Sequence, residues 1–140
     1  MPIAANLSPE QHAGVRSRPW RVVVADDADG LRDLICLLLD LEDDFSVVGS
    51  AGDGAGAVEV SVAQRPDLVV LDLAMPVMDG MATLGELRHR LPDTRVVVCT
   101  GYDVASVGTA VMAAGAAAVL QKDSGFTELP GRLRAVLAGS

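Results

Sequence analysis

Five short apolar runs, each followed closely by a helical pattern, constrain this chain more than any other feature. The runs are Arg21 to Ala25, Phe45 to Gly49, Leu68 to Leu71, Val96 to Cys99 and Ala117 to Leu120, each bounded by turn residues. Their length and β-branched content read as strands, least clearly in the last, which is rich in alanine. Helical spacing follows each one. Asp29 to Leu41 places Leu31, Leu34, Ile35, Leu38 and Leu41 on the face expected to be buried. The later helices are expected at Asp53 to Gln64, Gly80 to Leu91, Asp103 to Ala114 and Thr127 to Ala138. Apolar runs that do not alternate imply strands buried on both faces, hence a parallel sheet with helices on each side. The expectation is one doubly wound α/β domain, (βα)5 in order, over residues 20–140, with residues 1–19 as a flexible extension.

Composition bounds the function classes. The chain has 140 residues, enough for a single sizeable core, and its longest apolar run, Ala110 to Leu120, is far short of the ~20 residues needed to span a bilayer. The first nineteen residues carry three prolines and lack the basic start, apolar centre and small-residue cleavage site of a signal peptide. Cys36 and Cys99 have neither metal-type nor redox-type spacing, so reduced thiols in a cytoplasmic protein are expected. A formal net charge of −8 argues against direct nucleic-acid binding, which rests largely on basic residues facing phosphates. His12 and His89 have no ligand-spaced companions and read as surface residues.

In an open α/β sheet the functional crevice lies beyond the carboxyl ends of the strands. Strand one here ends in Asp26-Asp27, strand three in Asp72, strand four in Thr100, and strand five runs into Gln121-Lys122. Asp72 closes the most apolar run of the chain, and a buried ionised carboxylate is costly without a partner. Three carboxylates, a hydroxyl and one ammonium at one sheet edge supply such partners, and they form the kind of pocket a hard divalent metal and a phosphoryl group require. Taken singly, each residue has a plainer reading. Asp26 and Asp27 could be helix N-terminal acids, Thr100 an ordinary strand residue, and Lys122 a solvated lysine. Asp79-Gly80 reads as a turn and helix cap rather than part of the site, with Pro76 fixing a turn before it.

A rival pattern lies in "VVGSAGDGAGAVEV". Gly52, Gly54 and Ala57 match G-x-G-x-x-A after a strand, and Asp72 follows Gly52 by 20 residues, which is the spacing of a dinucleotide-binding module. It starts at the second strand rather than the first and leaves Asp26, Asp27, Thr100 and Lys122 unexplained; a plain Asp53 cap accounts for the glycines equally well.

"VVVADD", "VVLDLAMPVMDG", "VVVCTG" and "VLQKD" resemble, in order and spacing, the signature segments of response-regulator receiver domains, the CheY-like phosphoacceptors of bacterial two-component signalling. The resemblance covers residues 21–138 and implies a flavodoxin-like fold. It further implies that Asp72 accepts a phosphoryl group from the phosphohistidine of a sensor histidine kinase or phosphotransfer protein. Mg²⁺ would be bound by Asp27, Asp72 and the backbone carbonyl of Ala74, and by Asp26 through water. Thr100 would hydrogen-bond the phosphoryl group and Lys122 would ion-pair with it. The domain would catalyse only its own phosphorylation and dephosphorylation. It would signal to an output partner, or by forming a homodimer, through the face of the fourth helix, fifth strand and fifth helix. Such a chain would be a stand-alone receiver or a domain excised from a larger regulator. It departs from the family at Val119, where receivers commonly carry a switching aromatic, and at Gly101, where alanine is frequent; Tyr102 follows.

Overall fold

The computed structural model describes residues 18–75, 79–101, 103–122 and 126–139. The expected extension up to Ser17, His12, the turn at Pro76 and the side chain of Tyr102 lie outside the described residues.

Five parallel strands form one sheet in the order β2-β1-β3-β4-β5. They are β1 (Trp20–Ala25), β2 (Phe45–Ala51), β3 (Leu68–Asp72), β4 (Arg95–Thr100) and β5 (Ala118–Gln121). The helices are α1 (Asp29–Asp40), α2 (Gly54–Gln64), α3 (Gly80–Arg90), α4 (Val104–Ala113) and α5 (Leu129–Ala138), the last entered through a 3₁₀ turn at Phe126–Glu128. Every expected element is present, and the fold is the flavodoxin-like doubly wound one. The expected buried strands are found in the centre: all of β3 is buried, as are Val22 to Ala25 of β1 and Val96 to Thr100 of β4. The two edge strands, β2 and β5, are mostly half-buried, because each has a neighbour on one side only.

Alternation along the strands divides the core in two. Val23, Ala25, Val69, Leu71, Val96 and Val98 face α2, α3 and α4 through Ala57, Val58, Leu84, Leu87 and Val111. Val22, Val24, Leu68, Val70, Val97 and Cys99 face α1 and α5 through Ile35, Leu39, Leu129, Leu133 and Leu137. Arg134 of α5 ties the second layer to the α1–β2 connection: its guanidinium grips Asp44 at 2.6 and 2.7 Å and lies 5.4 Å from the centre of the Phe45 ring.

The buried face of α1 differs from the expected one. Ile35 and Leu39 are buried with Leu31 packed beside them, whereas Leu34 and Leu41 are 42% and 67% exposed and Leu37 is 55% exposed. Seven of its twelve residues are apolar (Leu31, Leu34, Ile35, Cys36, Leu37, Leu38 and Leu39), so its periodicity supports more than one stripe. Packing on β1, β2 and α5 selects between them.

Candidate functional site

The register that sets Ala25 opposite Leu71 brings the next residues, Asp26 and Asp72, side by side at the carboxyl ends of β1 and β3. This is the point where the strand order reverses, β1 lying between β2 and β3. Asp26 and Asp72 are 2% and 4% exposed, so neither charge can rely on water. Lys122, just past β5, answers both: its ammonium lies 2.9 Å from Asp26 Oδ2 and 3.1 Å from Asp72 Oδ1. Asp27, next in the chain, is exposed, and one carboxylate oxygen from each of Asp26, Asp27 and Asp72 falls within 4.8 Å of the others.

Local backbone donors complete the cradle. The Ala28 amide donates to Asp26 Oδ1 at 3.0 Å and the Ala74 amide to Asp72 Oδ1 at 3.2 Å. The loop after Asp72 folds back at Gly80, whose amide donates to the Leu73 carbonyl at 2.9 Å. A Cβ on Gly80 would come within 2.3 Å of the Leu73 backbone, so no larger residue closes this loop unchanged. Asp79 caps α3 by accepting from the Ala82 amide at 2.8 Å, which is the expected cap.

Burial is the first cause that pushes the Asp72 carboxyl above its usual range; the Ala74 amide and Lys122 pull it back, and Asp26 adds to the rise. Burial pulls Lys122 down, but hydrogen bonds to Asp26 and Asp72 and their charges outweigh it and hold the ammonium above its ordinary value. The expected crowding of carboxylates is present, though desolvation contributes more than repulsion. Cys99, in the layer beneath, is pushed up to about 12, chiefly by burial, which makes it an inert thiol.

Thr100 is fully buried at the end of β4, one residue beyond the Asp72–Cys99 pair. Val119, in the place of the usual aromatic, packs half-buried against the layer containing Val111. His89 is exposed near the end of α3, away from the acids. Gly52, Gly54 and Ala57 lie after β2, an edge strand, and not at the switch point; Asp53 caps α2 by accepting from the Gly56 amide at 2.7 Å. The dinucleotide reading is therefore not favoured.

Two side chains near the site escaped the sequence reading. Gln121 Oε1 accepts from the Val104 amide at 3.0 Å, reaching from β5 to the first turn of α4. Arg32 Nη1 donates to the Asp26 carbonyl at 2.8 Å. Gln121 stands within "VLQKD", but nothing in that segment signals a bond to α4; for Arg32 the available signal is an arginine early in α1, against the helix dipole.

The donor set fits a hard divalent cation: carboxylate oxygens only, with one of the three acids open to solvent. The family model for the response regulator receiver domain matches residues 22–134. The chain is 36% identical over 109 residues to the transcriptional regulatory protein YhcZ of Bacillus subtilis, covering 78% of this chain and 51% of that protein. It is 35% identical over 112 residues to a protein-glutamate methylesterase/protein-glutamine glutaminase of Anaeromyxobacter dehalogenans, covering 80% of this chain and 33% of that protein. Among solved structures, the signal receiver domain of NarL from Mycobacterium tuberculosis superposes with a TM-score of 0.81 at 35% identity, covering 88% of this chain and 99% of that one. The chain thus spans about half the length of one curated relative and a third of the other. Among the described residues no helix is long and apolar enough to cross a membrane.

Proposed function

The chain belongs to the response regulator receiver domain family, and from that premise we propose that its covalent state carries a signal, with Asp72 as the phosphoacceptor. The observation that carries this reading is Lys122 bridging Asp26 and Asp72 at 2.9 and 3.1 Å with Asp27 beside them. A buried carboxylate is held there next to an ammonium and the acids that a phosphoryl acceptor needs.

In the transfer, an Asp72 carboxylate oxygen forms a bond to phosphorus as the bond from phosphorus to a histidine nitrogen of the donor breaks. The imidazole leaves with its electron pair and an acyl phosphate remains on the chain. Such a transition state spreads charge over three equatorial oxygens, so positioning and charge neutralisation do the catalysis. Asp26, Asp27, Asp72 and the Ala74 carbonyl would hold Mg²⁺, which when bound offsets the repulsion between anionic donor and anionic acceptor. Lys122 would exchange its carboxylate partners for the phosphoryl oxygens, and Thr100 would donate its hydroxyl to them. The donor is a sensor histidine kinase or phosphotransfer protein of the cytoplasm. The reader is a partner protein, or a second copy, meeting the α4–β5–α5 face.

Acetyl phosphate with Mg²⁺ tests this directly. One phosphoryl group should appear on the intact protein, labile in base as an acyl phosphate is, and Asp72→Asn should abolish it because the amide offers no anionic oxygen. Unchanged incorporation in that variant would place the acceptor elsewhere.

A further inference from the structure

We infer that Arg32 is a positioning residue for the Asp26-Asp27 pair and that Gly52 leaves the space its guanidinium occupies, an inference that rests on the proposed ion-binding role of those acids. The peptide unit joining Asp26 to Asp27 determines where the second carboxylate points; it is held through its own oxygen, and the peptide unit before it is held by the sheet. The Asp26 amide donates to the Ala51 carbonyl at 3.1 Å, the last rung from β2. The Asp26 carbonyl, the oxygen of the joining peptide itself, accepts from Arg32 Nη1 at 2.8 Å. Nη2 of the same guanidinium meets Asp29 Oδ1 at 2.7 Å, which fixes the plane of the fork.

This placement opposes local preference. Arg32 lies near the start of α1, where the helix dipole disfavours a cation, and its side chain is only 18% exposed. The bond to the Asp26 carbonyl and the pairing with Asp29 offset that cost. The guanidinium passes directly over Gly52: a Cβ there would lie 2.9 Å from Arg32 Nη1 and 3.8 Å from Cζ, with no other atom inside 4 Å among the described residues apart from the chain neighbours of Gly52. Gly52 is not among the positive-φ residues, so alanine is allowed by its backbone. The glycine thus serves the placement of the arginine and not the turn, which gives the first glycine of the G-x-G pattern a cause unrelated to nucleotides.

The two possible roles of Arg32 predict opposite signs. If its charge alone mattered, removing it would tighten cation binding at the acids. If it positions the peptide, displacing it loosens binding even with the charge kept. Gly52→Ala keeps the charge and moves only the fork, since the clash is with the far end of a flexible side chain.

The experiment is Mg²⁺ titration by calorimetry, with thermal unfolding in EDTA alongside, on wild type, Asp27→Ala, Gly52→Ala, Arg32→Met, Arg32→Lys and the Gly52→Ala/Arg32→Met double variant. Wild type should bind Mg²⁺ and Asp27→Ala should not; failure of that pair overturns the ion-binding reading itself. Gly52→Ala should weaken Mg²⁺ about tenfold, as loss of an outer-shell support does. Its metal-free melting temperature should be unchanged or slightly higher, because alanine restricts the unfolded chain. In the Arg32→Met background the same substitution should have no further effect on affinity. Arg32→Lys keeps the charge and a donor, serves if the methionine variant folds poorly, and should also make Gly52→Ala milder. Wild-type affinity in Gly52→Ala, or an equal loss with and without Arg32, would overturn the inference.

Discussion

The side-chain oxygen of Gln121 accepts the backbone amide of Val104 at 3.0 Å, joining the end of β5 to the first residue of α4. Gln121 pairs with Thr100 in the sheet and directly precedes Lys122, so it stands between the acid pocket and a helix with only Val111 fully buried. A helix so lightly docked is open to a shift in population. With Val119 too small to act as an aromatic switch, this bond would carry a change at Thr100 or Lys122 to α4 if those residues respond to phosphorylation as proposed. Gln121→Leu should raise amide exchange in residues 103–107 and reduce the change in protection that beryllofluoride with Mg²⁺ produces across α4. Thr100→Ala should reduce that change as well. Protection identical to wild type in both variants would remove this route.

Lys122 neutralises two carboxylates that are almost wholly buried. Removing one partner of a buried pair leaves uncompensated charge and typically costs about 3 kcal/mol or more. Lys122→Met should lose on that order of stability in EDTA by urea unfolding. Mg²⁺ should recover part of the loss, raising the melting temperature of the variant more than that of wild type. Equal shifts in both proteins would mean that the ammonium and the ion do not share these acids.

The Arg134 clamp gives a pH dependence away from the pocket. The hydrogen bond from Arg134 is the first cause holding the Asp44 carboxyl below its usual 3.8. An acid with a depressed native value contributes stability above its unfolded value and loses it as pH falls through the native one. The groups are about 40% exposed, so solvent screening limits the cluster to about 1 kcal/mol. Arg134→Met should therefore be less stable by about that amount near pH 7, and the difference from wild type should shrink as the pH falls below the usual 3.8 of Asp44. A difference independent of pH would assign the effect to the lost packing on Phe45.

Leu34 and Leu37 on α1, with Leu41 at its C-cap, form an exposed stripe with helical spacing on the helix that follows the acid pair. Such a stripe suits the apolar face of a partner helix. Leu34→Ser with Leu37→Ser should slow phosphotransfer from the histidine kinase that labels wild type fastest by about tenfold, as loss of interface anchors does. Labelling by acetyl phosphate should be unaffected. Equal slowing with both donors would place the defect in the pocket.

The order of strands and helices was legible because each element carries its own period, and the strand ends located Asp26, Asp27, Asp72, Thr100 and Lys122 once the sheet was known to be parallel. Spacing also separated the acids that end strands from Asp53 and Asp79, which cap helices. Rotation of a helix about its axis is different: α1 has enough leucine for several stripes, and contact with β1, β2 and α5 chose Ile35 and Leu39 over Leu34 and Leu41. The same holds for bonds between distant segments. That Lys122 meets Asp26 as closely as Asp72, that Arg32 passes over Gly52 to the Asp26 carbonyl, and that Gln121 holds the α4 amide all depend on where separate elements end in space. Local sequence determines which residues stand at the ends of strands, because period and turn chemistry act over a few residues. The tertiary structure decides which of those residues touch, because that depends on register, twist and packing between elements far apart in the chain.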